Sequence, residues 1–470
     1  MNHPQQFSEI RLRCIDFLKG LAMIAVICAH VSFWINDPNK MWAHGIAWMI
    51  FQFCGPAGFA VLTSINITIS TRTKQQKGYS NGKIFISVIK KSIIFFIIGF
   101  FFVGNFSGTT FNEIISNILD PMYLLRVHIF QLIAISQIIA FVSIIFKKYI
   151  RIIISIIIIL IDIFGYPYVI QKMELETFIT PELFEGKYGY YALQSTYGWI
   201  YLIFFRQSLQ MGIIPWIIIP FLSSIAGDMV FDKIIMPAQQ ILKNEQNNMI
   251  NNEVQNQKIQ KSKNNSLEKN LKQLYIYASI LYAIGIIMGL NLVDYFRGAK
   301  DLIWLNSGAP YHIDVYPLFL FNGSWQSLLY CTAIVIAFVG IGIYTNDLRR
   351  NNQFNLFYVT PYIECSRFYK FWIFIENKLL FFITSLETFG KYSMSAFIIH
   401  FLGWFILYPL NFNPNFPPRI SFFIMFSYAF FFILIFNIWD RKLNGKFTLE
   451  YFITPKSLKI KYKKDKIREF

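Results

Sequence analysis

Long apolar runs, broken by short loops that hold most of the positive charge, constrain this chain more than any other feature. The run from Ile152 to Ile161, with its flanks, is too long and too uniform for the core of a soluble domain. Hydrophobic residues make up 55% of the chain and charged residues 15%, where soluble domains carry about 25% charged residues. The apolar residues come in blocks and do not alternate, which argues against a membrane β-barrel. The reading is an all-α, polytopic integral membrane bundle of about ten transmembrane helices.

The expected spans are 14–34, 46–70, 92–104, 126–146, a fifth following Arg151 to 170, 208–226, 274–292, 316–344, 383–408 and 420–439. A piece near Trp199 to Phe205 reads as re-entrant or interfacial, because an eleventh crossing would break the alternation of sides. Residues 1–13 form a short tail, 14–227 the first six helices, 274–440 the last four, and 441–470 a basic tail. Between the two helical blocks, 228–273 is rich in Asn, Gln and Lys and reads as a mobile, partly disordered basic insert. No strong internal repeat is visible.

The formal net charge of +17 raises the question of nucleic acid. Its distribution answers no: the basic residues cluster in alternate loops, as the positive-inside rule requires. Residues 72–91 hold six basic residues and no acid, and the last 30 residues hold ten. Both termini and the insert are therefore expected in the cytoplasm. The five cysteines, Cys14, Cys28, Cys54, Cys331 and Cys365, form no CxxC pair, so neither a metal site nor a disulfide framework follows. No small-residue cleavage site follows the first helix, which is expected to stay as an anchor.

The first helix carries the chemistry. The stretch from Arg11 to His44 opens with Arg11 and Arg13, runs apolar from Leu21 to Val31, and ends in a polar aromatic loop. Ionisable side chains inside a span are costly and mark function by default, and here Asp16, Lys19 and His30 share one segment. At about 100° per residue Lys19 and His30 fall within about 20° of one helix face, and Asp16 about 40° to the other side of His30. The axial rise from Lys19 to His30 is about 16 Å, roughly half the hydrocarbon thickness. An imidazole at that depth suits proton abstraction from an attacking hydroxyl or amine. The blander alternative is a histidine bonded to a backbone carbonyl.

Other candidates are weaker. His44 lies in the outer loop between Trp42 and Trp48, where an interfacial role competes with a catalytic one. His400, in SMSAFIIHFLGW, is a second membrane histidine. Arg126 and His128 open the fourth helix, where they could meet an anion or simply face solvent. Asp294, Asp301, His312 and Asp314 could line an acceptor site with Trp304, although solvated loop charges are the simpler account.

The opening motif also resembles a known group. Arg11 or Arg13, Ile15, Asp16, Leu18, Lys19, Gly20, Leu21 and Ala22, followed by His30, is similar to the transmembrane acyltransferase superfamily. That group includes the acyltransferase-3 proteins and the heparan-α-glucosaminide N-acetyltransferase-like proteins. Lys19 and His30 match the acyltransferase-3 spacing of basic residue, ten residues, histidine, with Lys where Arg is usual; Lys lacks the planar fork that grips phosphate bidentately. His44 in KMWAHGIAW matches the heparan-type position of the catalytic histidine, and the architecture leans to that branch. LRVHIFQLIAISQIIAF at 125–141, FGKYSMSAFIIHF at 389–401 and GKFTLEYFI at 445–453 fit more loosely.

The resemblance implies an acetyl-CoA or other acyl-CoA co-substrate entering from the cytoplasm, with its phosphates near Arg11, Arg13 and Lys19, and no metal. It implies transfer of the acyl group to a glycan or other small acceptor across the membrane, with His30 or His44 as base or transient acyl carrier and Asp16 counted among the catalytic residues. Arg126, His128, His400 and Asp314 would then face substrate. Partners would be the lipid bilayer, acyl-CoA and the acceptor; a homodimer is compatible. Two rivals remain: a multi-pass transporter, which explains buried charge equally well, and a catalytically inactive relative.

Overall fold

A computed structural model of the chain describes residues 12–35, 55–99, 129–178, 191, 193–205, 213–237, 239–240, 253–290, 325–344, 381–400 and 416–453. Among these residues the chain is helical, with no strand. The long elements are α1 (Arg13–Ile35), α2 (Pro56–Gln76), α3 (Asn81–Ile98), α4 (Ile129–Ser143) and α5 (Lys148–Thr177). There follow α6 (Ile218–Val230), α7 (Glu253–Leu290), α8 (Trp325–Gly342), α9 (381–391), α10 (Ser393–Ile399), α11 (Pro418–Leu443) and α12 (Leu449–Ile453). Each of the ten expected spans contains a helix among the described residues. Among the described residues, six helices are long and apolar enough to cross a membrane: those at Arg13–Val31, Lys148–Thr177, Ile213–Ile235, Leu271–Gly289, Trp325–Gly342 and Arg419–Leu443.

Two helices, α5 and α11, turn large apolar side chains outward. α5 turns Arg151, Ser155 and Asp162 inward and exposes Ile153, Ile156, Ile157, Leu160 and Phe164. α11 likewise exposes Phe423, Phe430, Phe431 and Ile438 while burying Ser421, Met425 and Ala429. Such an apolar outer face is stable against hydrocarbon and costly against water, so lipid is the solvent these faces fit.

Several boundaries differ from the sequence expectation for one physical reason: polarity does not end a helix. The basic loop expected at 72–91 shrinks, because α2 runs on through Lys74 and Gln76 and α3 starts at Asn81. Lys and Gln are good helix formers, and the break comes at Gly78, whose φ of +79° suits a residue without a Cβ. By the same logic the second part of the expected insert is helix, since α7 starts at Glu253 and continues unbroken into the apolar stretch ending at Leu290. The sixth span reaches Ile235 and so takes Asp228 inside it. The piece near Trp199 is a short helix, Thr196–Ile200, running into a π-turn, Tyr201–Phe205, that packs on Val169 and Met173 of α5.

Two cores share α1. Its first turn, with Cys14 and Ile15, packs into a cluster built by α2, α6, α7 and α8. From Ala22 onward it belongs to a second cluster with α4, α9, α10 and α11. α7 and α8 run antiparallel, with Gly285 against Tyr330 and Gly340 against Tyr275. α1 and α11 also run antiparallel, because the Cys28 thiol meets the Met425 carbonyl while the Phe416 amide donates to the Ile35 carbonyl at 2.9 Å.

The first core is locked by a buried ion cluster at one end of the bundle. The Arg151 guanidinium, 1% exposed, lies 2.8 Å from Asp228, itself 2% exposed, and Arg72 meets the same carboxylate at 2.8 Å. Arg151 also donates to the Phe146 and Ile144 carbonyls and to the Ser224 hydroxyl. Each Arg151 nitrogen therefore has an acceptor, which is the condition for burying a charge at all.

Candidate functional site

Two glycines place the site. A Cβ on Gly390 would sit 1.8 Å from the Asp16 carbonyl oxygen and 2.6 Å from the Gly20 nitrogen, and a Cβ on Gly20 would sit 2.4 Å from the Leu386 carbonyl oxygen. The backbones of α1 and α9 thus touch, as small residues allow between helices in a membrane. From this crossing both chains run the same way. His30 lies ten helical residues past Gly20, a rise of about 15 Å, and His400 lies ten residues past Gly390 across the break at Tyr392. The two imidazoles meet, with His30 Nδ1 and His400 Nε2 2.8 Å apart.

The rings are parallel to within 4°, with centroids 5.0 Å apart. A centroid separation that exceeds the nitrogen separation by nearly two ring radii requires both nitrogens to lie between the centroids. The rings are therefore edge to edge in one plane, and the hydrogen bond is in line. His400 is fully buried, while His30 is half-buried. Phe397 sets its ring at 75° to both imidazoles, and Phe130 packs on Phe397 at 83°. The pair therefore has an aromatic wall that excludes water from one side.

The bonding fixes the tautomers of the neutral pair. His400 Nδ1 lies 3.3 Å from the Ala396 carbonyl oxygen, which can only accept, so Nδ1 carries the hydrogen. Nε2 of His400 is then an acceptor, and His30 Nδ1 donates to it. That leaves the lone pair of His30 on Nε2. When Nε2 takes a proton, the bond to His400 becomes charge-assisted, a gain of about 1–1.5 kcal/mol over the neutral bond. Such a pair can hold one imidazole ready to take a proton while the other orients it.

The floor under His400 comes from the end of the chain. α11 ends at Asn444 in the left-handed conformation, φ +51°, and Gly445 follows at φ +69° against the Tyr392 ring, where a Cβ would overlap the hydroxyl. This turn brings α12 back under α10. Lys391 pairs with Asp440 at 3.0 Å, and the Tyr392 hydroxyl donates to the same carboxylate. Glu450 accepts from the amides of Met394 at 2.8 Å and Ser395 at 3.1 Å and from the Ser395 hydroxyl. Burial pushes the Glu450 carboxyl above its ordinary range, and those donors pull it part of the way back.

The structure thus joins two candidates, His30 and His400, that the sequence left separate. Arg13, Asp16 and Lys19 lie in the first two turns of α1, and Asp16 is about 21 Å along the axis from His30, beyond direct contact. Arg11, His44, Arg126, His128 and Asp314 lie outside the described residues. Sequence reasoning missed Glu450 and the Arg72–Asp228–Arg151 cluster. Asp228 carried a readable signal, since a carboxylate at the end of an apolar run asks for a cation. Among the described residues no group of three or more His, Cys, Asp and Glu could hold a metal ion, and Cys14, Cys28 and Cys331 are buried.

Among the described residues, fold and site define a helical membrane-type bundle with six helices long and apolar enough to cross a membrane and a coplanar histidine pair inside it. No family model matches the chain, and no curated protein matches it.

Proposed function

We propose that this protein is an integral membrane acyltransferase. It takes an acetyl or other short acyl group from cytoplasmic acyl-CoA and transfers it to an amino or hydroxyl group of a glycan or related acceptor on the far side. The observation that carries this reading is the in-line pair of His30 and His400. Its support is the opening motif of α1, which resembles the acyltransferase superfamily through Asp16, Lys19, Gly20 and His30. The full topology would be ten crossings with both termini cytoplasmic, from the placement of basic loops.

In the reaction, the acceptor oxygen or nitrogen attacks the thioester carbonyl carbon while His30 Nε2 takes its proton. His400 accepts from His30 Nδ1 throughout and stabilises the imidazolium. The carbon–sulfur bond then breaks, and the imidazolium returns the proton to the departing CoA sulfur. Arg13 and Lys19, near the start of α1, would hold the CoA phosphates, and the rise from Lys19 to His30 of about 16 Å suits a pantetheine arm lying along the helix. His44 would border the acceptor side.

The test is purified protein in lipid nanodiscs with radiolabelled acetyl-CoA and a panel of amino sugars and hydroxylated glycans. Acylated product is expected from wild type, with a loss of about 10²–10⁴-fold in His30→Ala and retained CoA binding. Wild-type protein that neither binds acetyl-CoA nor forms product would overturn the reading.

A transporter is the second reading, and one observation favours it. Asp162 sits midway along α5, buried, and its Oδ1 has no hydrogen-bond partner among the described residues. Buried carboxyls of this kind line ion paths. Solute or proton flux in proteoliposomes that disappears in Asp162→Asn, with no acyl transfer in wild type, would favour that reading.

A further inference from the structure

We infer that the C-terminal segment from Asp440 to Glu450 is the positioning element of the histidine pair, with Glu450 acting on His30 through His400. The inference rests on the reading of His30 as the reactive base.

The contacts form one continuous chain. Glu450 grips the amides of Met394 and Ser395 at the start of α10. The Ser395 hydroxyl donates to Glu450 and accepts from the Leu449 amide at 2.8 Å, so the two short helices are tied in both directions. The next residue is Ala396, whose carbonyl accepts both the His400 amide at 3.0 Å and the His400 Nδ1 hydrogen at 3.3 Å. His400 Nε2 then meets His30. Glu450 is thus separated from His30 only by one short helix and one ring.

That helix cannot place itself. It has seven residues, fewer than the number at which isolated helices become stable in water, and it follows a break at Tyr392 with φ −109° and ψ 25°. Its position must come from outside contacts. The Tyr392 amide bonds the Phe389 carbonyl on one side of the break, and Asp440 holds Lys391 and the Tyr392 hydroxyl there. Glu450 holds the far side of the break. Thr448, buried, supports the approach of Glu450 by donating to the Gly445 carbonyl and accepting from the Tyr451 amide. An in-line bond between two rigid rings tolerates little displacement, so the register set by Glu450 decides whether the pair forms.

The experiment measures His30 itself and needs no acyl donor or acceptor. Diethyl pyrocarbonate carbethoxylates unprotonated imidazole, and the His30 peptide is followed by mass spectrometry in full-length protein. Glu450→Ala should change the His30 rate several-fold, in the same direction and by the same factor as His400→Asn. The Glu450→Ala/His400→Asn double variant should match His400→Asn alone, because the effect travels through His400. Glu450→Gln, which keeps an oxygen acceptor for the amides, should restore most of the wild-type rate. If Glu450→Ala does not fold, Ser395→Ala removes one link of the same chain and replaces it in the cycle. Additive effects of Glu450→Ala and His400→Asn, or an unchanged His30 rate in folded Glu450→Ala and Ser395→Ala, would overturn the inference. Absence of acyl transfer with the expected carbethoxylation pattern would instead sink only the proposed reaction.

Discussion

Replacing Gly390 with alanine tests the geometry of the whole site from a position that touches neither histidine. The new methyl carbon would stand 1.8 Å from the Asp16 carbonyl oxygen, where even a close carbon–oxygen contact needs about 3.3 Å. The obstacle is backbone, so no side chain can swing aside. α1 and α9 must part by about 1.5 Å at the crossing, and overpacking of this kind typically costs about 1–3 kcal/mol. α10 follows α9 across the break at Tyr392, so the part of that displacement that α10 shares reaches the histidines, and a shift of about 0.7 Å would already stretch their 2.8 Å bond to the limit of a hydrogen bond. The differential support of the imidazolium, about 1–1.5 kcal/mol, would be lost, a fall of roughly 5- to 10-fold in the transfer step. Gly20→Ala meets the Leu386 carbonyl at 2.4 Å and should show a smaller effect, while Gly82→Ala meets nothing within 4 Å and should show none. The assay is turnover per CoA-binding-competent molecule, with unfolding in detergent measured in parallel. Wild-type turnover and wild-type stability in Gly390→Ala would refute the reasoning.

The remaining predictions address other parts of the molecule. Asp228→Ala should destabilise the bundle by about 3–5 kcal/mol, read from thermal or denaturant unfolding, because two guanidiniums lose their carboxylate; an Arg151→Met/Asp228→Leu pair should recover much of that loss. Lys19→Glu should weaken acetyl-CoA binding by at least tenfold in a titration, and unchanged affinity in folded protein would move the phosphate site elsewhere. Single cysteines placed between the sixth and seventh spans, in 239–270, and in 296–312 should label from opposite sides of the membrane, and labelling of both from one side would sink the ten-crossing topology. His400→Asn should lower turnover less than His30→Ala while leaving CoA binding intact; the reverse order would exchange the roles of the two rings.

The sequence by itself determined the class of fold and the existence of most helices. Apolar runs such as Ile152–Ile161 satisfy a span without reference to any partner, because lipid obliges a backbone to close its hydrogen bonds within each helix. His30 was legible for a related reason, since a titratable ring inside an apolar run has no cheap explanation. Helix ends were less legible. Lys, Gln and Glu signal a loop by polarity and a helix by propensity, and at 72–76 and 253–273 propensity prevailed. Only the tertiary structure decided the pairing of the histidines. The equal ten-residue intervals from Gly20 to His30 and from Gly390 to His400 are written in the chain, but nothing local says that the glycines touch or that α1 and α9 point the same way. Arg151 and Glu450 share that property. In sequence each is a charge in or beside a basic loop; in the fold each is buried and saturated with partners, because the groups that satisfy them, Asp228 and the Met394 and Ser395 amides, lie 77 and 55 or more residues away and arrive only when the helices pack.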